Sequence, residues 1–268
     1  MTQTVAIAGL GAIGLEVARA LDAGVEGLRL VAVAARDPAR ARARVAAFRE
    51  PPEVLDAAAL AERADIIVEA APAAAFATIA APVIAAGRVL VACSVGALLP
   101  RMHLVEQARH SGARIIVPTG ALLGLDAVRA AAEGEVESVT IETRKPPAGL
   151  AGAPYLVERG IDLARIEAPT RVFVGNAREA AAGFPANVNV AAALALAGIG
   201  PERTQVEIWA VPGLARNVHT IRVDAAAARF SMTIEGVPSP DNPRTGRLTP
   251  LSVLACLRGL AATLKIGS

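Results

Sequence analysis

The stretch that most constrains the fold is Thr4-Val-Ala-Ile-Ala-Gly9-Leu-Gly11-Ala12-Ile13-Gly14, an apolar run that breaks into a glycine turn. Beyond it, Leu15, Val17, Ala18 and Leu21 recur at helical spacing. The glycines match G-x-G-x-x-G. In that pattern the first permits a sharp strand-to-helix turn, the second removes a Cβ that would hold a pyrophosphate off the backbone, and the third lets the helix pack against its strand. The helix N-terminus, with Ala12 and Ile13 in its first turn, then presents unpaired N–H groups to phosphates. A glycine turn that binds nothing has the same letters. A strand before it, a helix after it and a further strand beyond favour dinucleotide binding.

That further strand, residues 28–35 (LRLVAVAA), is apolar without alternation, as in a parallel strand buried on both faces. An NAD-specific domain usually ends this strand with an acid for the ribose 2′-hydroxyl, whereas this chain has Ala34-Ala35-Arg36-Asp37, followed by Arg40, Arg42 and Arg44. Arg36 is placed to meet a 2′-phosphate, so the expected cofactor is NADP or NAD. Equally, Arg36 fits a solvated strand end, with Asp37 capping a helix that starts at Pro38. Residues 64–70, 88–92 and 113–117 repeat the β-branched pattern between alanine-rich helical segments, which predicts a doubly wound parallel sheet. Ala71-Pro72 and Ser94 fall at strand C-termini, where such sheets take ligands and where ordinary loops carry the same residues.

From about Pro118 the pattern changes to period-two alternation over 135–144, 170–175, 205–210, 217–223 and 229–235, the signature of an antiparallel sheet with one covered face. Helices are expected at 123–132 and 187–196. A terminal segment, 249–264, is expected to pack Leu251, Leu254, Leu257 and Leu260 back on the first domain. The division that follows is 1–118 for the dinucleotide, 119–245 for substrate, catalysis and dimerisation, and 246–268 for the returning helix. The fold class is α/β, an N-terminal Rossmann sheet with a second α+β domain on a largely antiparallel sheet.

Composition excludes several classes. The 268 residues carry a formal charge of +2 and only 3% aromatics, with no basic stripe of the kind a nucleic acid needs. There is no run of 18 apolar residues and no leader pattern, so a cytoplasmic protein without a membrane partner is expected. Cys93 and Cys256, flanked by apolar residues, read as buried, reduced and structural, and no Cys or His spacing suggests a metal.

Of three histidines, His103 and His110 lie on one helical segment and read as surface positions. His219 lies in a second-domain strand, where alternation puts it on the same face as Asn217, either on a solvated surface or in a cleft wall. Its side chain suits proton exchange near neutral pH. In Phe184-Pro-Ala-Asn187-Val-Asn189, Asn187 stands where a helix N-cap would stand, and Asn189 needs another reason. The turn Thr119-Gly-Ala121-Leu-Leu123-Gly-Leu-Asp126 follows the fifth strand, over the cofactor crevice, and Asp126 fits a first-turn acid.

GLGAIG at 9–14, CSVGAL at 93–98, TGALLGLDA at 119–127, RKPPAGLAGAP at 144–154, FPANVNVAAALALAGIG at 184–200, NVHTI and NPRTGRL at 242–248 together resemble the L-aspartate dehydrogenase family over nearly the whole chain. The resemblance implies a Rossmann domain, an α/β second domain and a homodimer. It implies oxidation of L-aspartate by NAD(P)+ to iminosuccinate, which hydrolyses to oxaloacetate and ammonia, and the reverse reductive amination. Ala121 and Asn187 match the family's cofactor positions and His219 its catalytic histidine. Thr119, Asn187, Arg144, Lys145, Arg216 and Asn217 are candidates to hold a small dicarboxylate. The family usually reads S-G-A-I-G-G-L-D where this chain has Thr119 and Leu123. A different small oxo or imino acid as substrate, or a nucleotide sensor without chemistry, is the competing reading.

Overall fold

A computed structural model describes residues 2–239, 242 and 245–267. Pro240 and Asp241 of the proline-rich loop, and Pro243 and Arg244 of the NPRTGRL segment, lie outside the described residues. The chain divides into two compact units, residues 1–118 with 249–268, and residues 119–248.

The first unit runs β1 (Gln3–Ala8), α1 (Ala12–Ala23), β2 (Leu28–Ala34), α2 (Pro38–Val45), β3 (Glu53–Val54), α3 (Leu60–Arg63), β4 (Ile66–Glu69), α4 (Phe76–Ala85), β5 (Val89–Ala92), α5 (Val95–Leu98), α6 (His103–Ser111) and β6 (Arg114–Ile116). All strands are parallel, in the order β3-β2-β1-β4-β5-β6. The order reverses between β1 and β4, the switch point where sheets of this kind leave a ligand crevice. The interior strands are apolar on both faces because helices cover both, with Val5, Ile7, Ile66 and Val68 fully buried. Helix α1 seats Gly14, Val17, Ala18 and Leu21 on the sheet. The edge strand β3 is absent from the sequence reading, since two residues carry no period.

The second unit continues with α7 (Leu125–Ala132), β7 (Val136–Lys145), α8 (Pro154–Glu158), β8 (Thr170–Asn176), α9 (Ala177–Gly183), α10 (Asn189–Ala197), β9 (Thr204–Ala210), β10 (Asn217–Ala225) and β11 (Arg229–Gly236). Its sheet has the order β11-β10-β7-β9-β8. The sheet is largely antiparallel, as expected, with one parallel pair, β7 and β9. Alternation records which face is covered, not which way the neighbouring strand runs. Val139 and Ile141 of β7, Val206 and Ile208 of β9, and Ile221 and Val223 of β10 share a core with Val128, Leu194 and the α10 alanines Ala191 and Ala195. Tyr155, Phe173 and Phe184 pack edge-on or tilted with ring centroids 5.1–5.5 Å apart. Alanines at 191, 192, 193 and 195 are buried in α10, where small side chains let a helix approach its neighbours closely.

The last helix, α11 (Leu248–Ala261), buries Val253 and Leu257 in the core of the first unit. Its expected apolar face shifts: Leu251 is 51% exposed and Val253 takes its place. The cysteines are corrected too. Both are free, but each is only partly covered, because Cys93 stands just past the end of β5 and Cys256 on the flank of α11. Burial still raises both thiols, Cys256 to about 11, so both remain protonated at neutral pH. Among the described residues no helix is long and apolar enough to cross a membrane. No group of three or more His, Cys, Asp or Glu residues there is placed to hold a metal.

Candidate active site

In the first unit the glycine turn has the geometry its letters suggest. Gly9 has φ +101°, and a Cβ on it would lie 2.5 Å from the Ala70 carbonyl oxygen. A Cβ on Gly14 would lie 1.8 Å from the Gly9 carbonyl oxygen, so the start of α1 rests directly on the turn. A Cβ on Gly11 would meet nothing within 4 Å. That open space, beside a helix start with no side-chain cap and no acid in its first turn, fits the phosphates of a dinucleotide. The Arg44 guanidinium donates to the Leu10 carbonyl and ties α2 to the turn. Asp37 caps α2 by accepting from the Arg40 N–H at 3.0 Å, while Arg36 beside it is exposed. The carboxylate nearest the end of β2 is therefore engaged with its own helix.

Beyond the switch point, Pro72 is exposed and Ala71 half-buried. Ser94 is buried, and its hydroxyl already bonds to the Glu69 carboxylate at 2.9 Å. Glu69 was not singled out in the sequence because it reads as the last residue of an apolar strand.

In the second unit, β7 and β10 turn polar at the same end of the covered face. Along β7 the inward residues are Val139, Ile141, Thr143 and Lys145; along the antiparallel β10 they are Val223, Ile221 and His219. Register places His219 opposite Thr143. The His219 Nδ1 and Thr143 Oγ1 are 3.0 Å apart and both residues are buried. This bond orients the ring and leaves Nε2 as the nitrogen for a reacting group. Lys145, 6% exposed, donates from Nζ to the Asn187 Oδ1 at 2.6 Å. Burial and the Lys145 charge push the His219 pKa down to about 3, so the imidazole is neutral throughout the neutral range.

The structure thus brings His219, Lys145 and Asn187 into one polar corner and adds Thr143, which the sequence reading missed. Alternation along β7 places Thr143 inward, but only register pairs it with His219. The choice between solvated surface and cleft wall for His219 falls to the covered side. Asn187 is not an N-cap, since α10 starts at Asn189 after Val188, and its amide serves Lys145 instead. Arg144 is a correction. It emerges on the opposite face of β7, bonded to Glu142 at 2.6 Å and lying over the Trp209 ring at 5.1 Å. Adjacent strand residues point to opposite faces, so Arg144 and Lys145 cannot serve one ligand. Arg216 is exposed in the bend before β10, and Asn217 is half-buried at its start. Thr119 and Ala121 are half-buried in the turn leading to α7, where Asp126 is an exposed first-turn acid. His103 and His110 are exposed on α6.

The family model described as aspartate dehydrogenase, C-terminal, matches residues 126–260, and one described as homoserine dehydrogenase, NAD binding domain, matches residues 9–118. The L-aspartate dehydrogenase of Bradyrhizobium diazoefficiens is 55% identical over 98% of this chain and 94% of its own length. The chain belongs to the L-aspartate dehydrogenase family. The family reaches well beyond close relatives: an L-aspartate dehydrogenase of Methanocella arvoryzae is 42% identical over 98% of this chain and 99% of its own. The crystal structure of aspartate dehydrogenase from Thermotoga maritima superposes with a TM-score of 0.74 at 25% identity, covering 100% of both chains. A homoserine dehydrogenase from Thiobacillus denitrificans, at 14% identity, 97% of this chain, 73% of its own and a TM-score of 0.63, shares the fold.

Proposed function

We propose that this chain is an NAD(P)-dependent L-aspartate dehydrogenase that oxidises L-aspartate to iminosuccinate, which hydrolyses to oxaloacetate and ammonia, and that it runs the reverse reductive amination. The observation that carries the reading is the buried His219–Thr143 pair beside Lys145 and Asn187 in a chain of this family. The bound nicotinamide supplies the hydride acceptor at C4 in one direction and the donor in the other. His219 accepts the proton released by the substrate ammonium and passes it to solvent; in the hydrolysis it takes the proton of the water that attacks the imine carbon and returns it to the departing ammonia. Thr143 holds the imidazole for that exchange. Lys145 is the cation for one substrate carboxylate, with Asn187 fixing its ammonium, and Thr119 and Asn217 are neutral donors. In the first unit, Ala71 and Pro72 contribute backbone to the nicotinamide side.

The finer features of this reading are a preference for NADP, a homodimer and a cytoplasmic location. The first is supported by Arg36 and by the engagement of Asp37 with Arg40.

The test is the absorbance of reduced nicotinamide in the presence of oxaloacetate, with and without ammonium, using NADPH or NADH. Oxidation that requires ammonium is expected, faster with NADPH, and Arg36→Leu is expected to remove that advantage. Oxidation that proceeds equally without ammonium would overturn the aspartate assignment.

A further inference from the structure

The buried acid at the tip of β4 has no part in the chemistry above. Glu69 is 0% exposed, and a carboxylate so placed is costly unless its oxygens are bonded. Three donors reach it: the Ser94 N–H at 2.9 Å, the Ser94 hydroxyl at 2.9 Å and the Ala71 N–H at 3.1 Å. Burial pushes its pKa up and these bonds oppose the shift. The donors come from the loops after two adjacent strands. Ala71 follows β4, and Ser94 follows β5, with its hydroxyl also 3.1 Å from the Ala71 carbonyl.

The held peptide is also the floor under the glycine turn. The Cβ position of Gly9 lies 2.5 Å from the Ala70 oxygen and 2.8 Å from the Ala71 nitrogen, so the turn rests on the 70–71 peptide. The Ala70 N–H bonds to the Ala8 carbonyl at 2.8 Å. The carboxylate thus ties together the loops after β4 and β5, and the Ala70–Ala71 backbone it holds is what meets β1 across the switch point. An apolar residue of similar volume would fill the space at lower cost, but it would leave the Ala71 and Ser94 N–H groups without this acceptor.

The geometry points to Glu69 as a positioning residue for the dinucleotide: through Ala71 and Ser94 it sets the two crevice loops, and with them the floor of the glycine turn, in the arrangement that receives the cofactor. The inference rests on reading the first unit as the cofactor domain, not on the identity of the substrate. Glu69→Gln has the same shape, but its amide nitrogen turns a donor toward Ser94 or Ala71 and releases one loop.

The experiment compares NADPH and NADH dissociation constants, by fluorescence titration without substrate, with hydrogen exchange of the free protein. Glu69→Gln is expected to raise the dissociation constant about tenfold or more. In the same variant the Ala71 or Ser94 amide should lose protection while Ile67 and Val68, inside β4, keep theirs. Ser94→Ala, which keeps the backbone bond, should show a smaller loss of affinity; it carries the test if Glu69→Gln does not fold, and unchanged affinity in it then overturns the inference. Unchanged affinity in Glu69→Gln overturns it as well, and so does weaker binding with both amides still protected. If the wild type binds neither cofactor, the cofactor reading itself fails and this inference with it.

Discussion

His219→Ala is expected to lower kcat by about 10²–10⁴-fold, the usual contribution of a positioned acid–base group, while cofactor affinity is retained. Both halves of the expectation come from placement. His219 and its partner Thr143 lie on β10 and β7 of the second unit, whereas the glycine turn belongs to the first. Loss of the ring removes the proton acceptor and leaves the phosphate-binding backbone untouched. Fluorescence titration with NADPH beside steady-state rates separates the two, and near-normal turnover would remove His219 from the mechanism. Stability should move with pH in a defined direction. A histidine held near pKa 3 in the fold but near 6.5 when unfolded binds its proton more readily in the unfolded chain. The fold therefore weakens as pH falls below about 6.5 toward 3. Urea midpoints across that range should fall more steeply for the wild type than for His219→Ala.

The second large effect is expected at Gly14. An alanine there would put its Cβ 1.8 Å from the Gly9 carbonyl oxygen and 3.0 Å from Ile7 Cγ2, against backbone on one side and a buried strand on the other. Neither can yield without lifting α1 from β1, so a loss of about 1–3 kcal/mol is expected from overpacking alone. The lifted helix start would also carry its N–H groups away from the phosphates. Gly11→Ala is the contrasting case. With nothing within 4 Å of its Cβ, stability should be unchanged while the added methyl enters the space expected for the dinucleotide. Denaturation midpoints and cofactor titrations of the pair check both. Equal stability of Gly14→Ala and wild type would mean that α1 does not rest on the turn as described.

Much of the architecture was legible because burial imposes periods on a sequence. Strands covered on both faces read as continuous apolar runs, and strands covered on one face read as alternation, so β2 and β10 were placed from their letters. What had no period went unread. β3 has two residues. α9 is opened by the reciprocal capping bonds of Asn176 and Glu179, a signal local to N-A-R-E and without a period. Strand direction and register were not legible either, and the site depends on both. The Thr143–His219 pair exists because two antiparallel strands meet in one register, and Glu69 gains two of its three donors from Ser94, 25 residues later and just past the neighbouring parallel strand. Arg144 and Lys145 show the same limit at its smallest. As neighbouring cations in one motif they look interchangeable, and the pleat sends one to Glu142 and Trp209 and the other to Asn187.

The return of α11 has a consequence for how the protein is made. Val253 and Leu257 complete a core whose remaining residues lie within the first 91 positions. On the ribosome the parallel sheet emerges early but must wait, with part of its apolar surface open, until the whole second unit has been translated. Synthesis thus separates the start of the first unit from its completion. A premature stop anywhere in the second unit would damage the first as well.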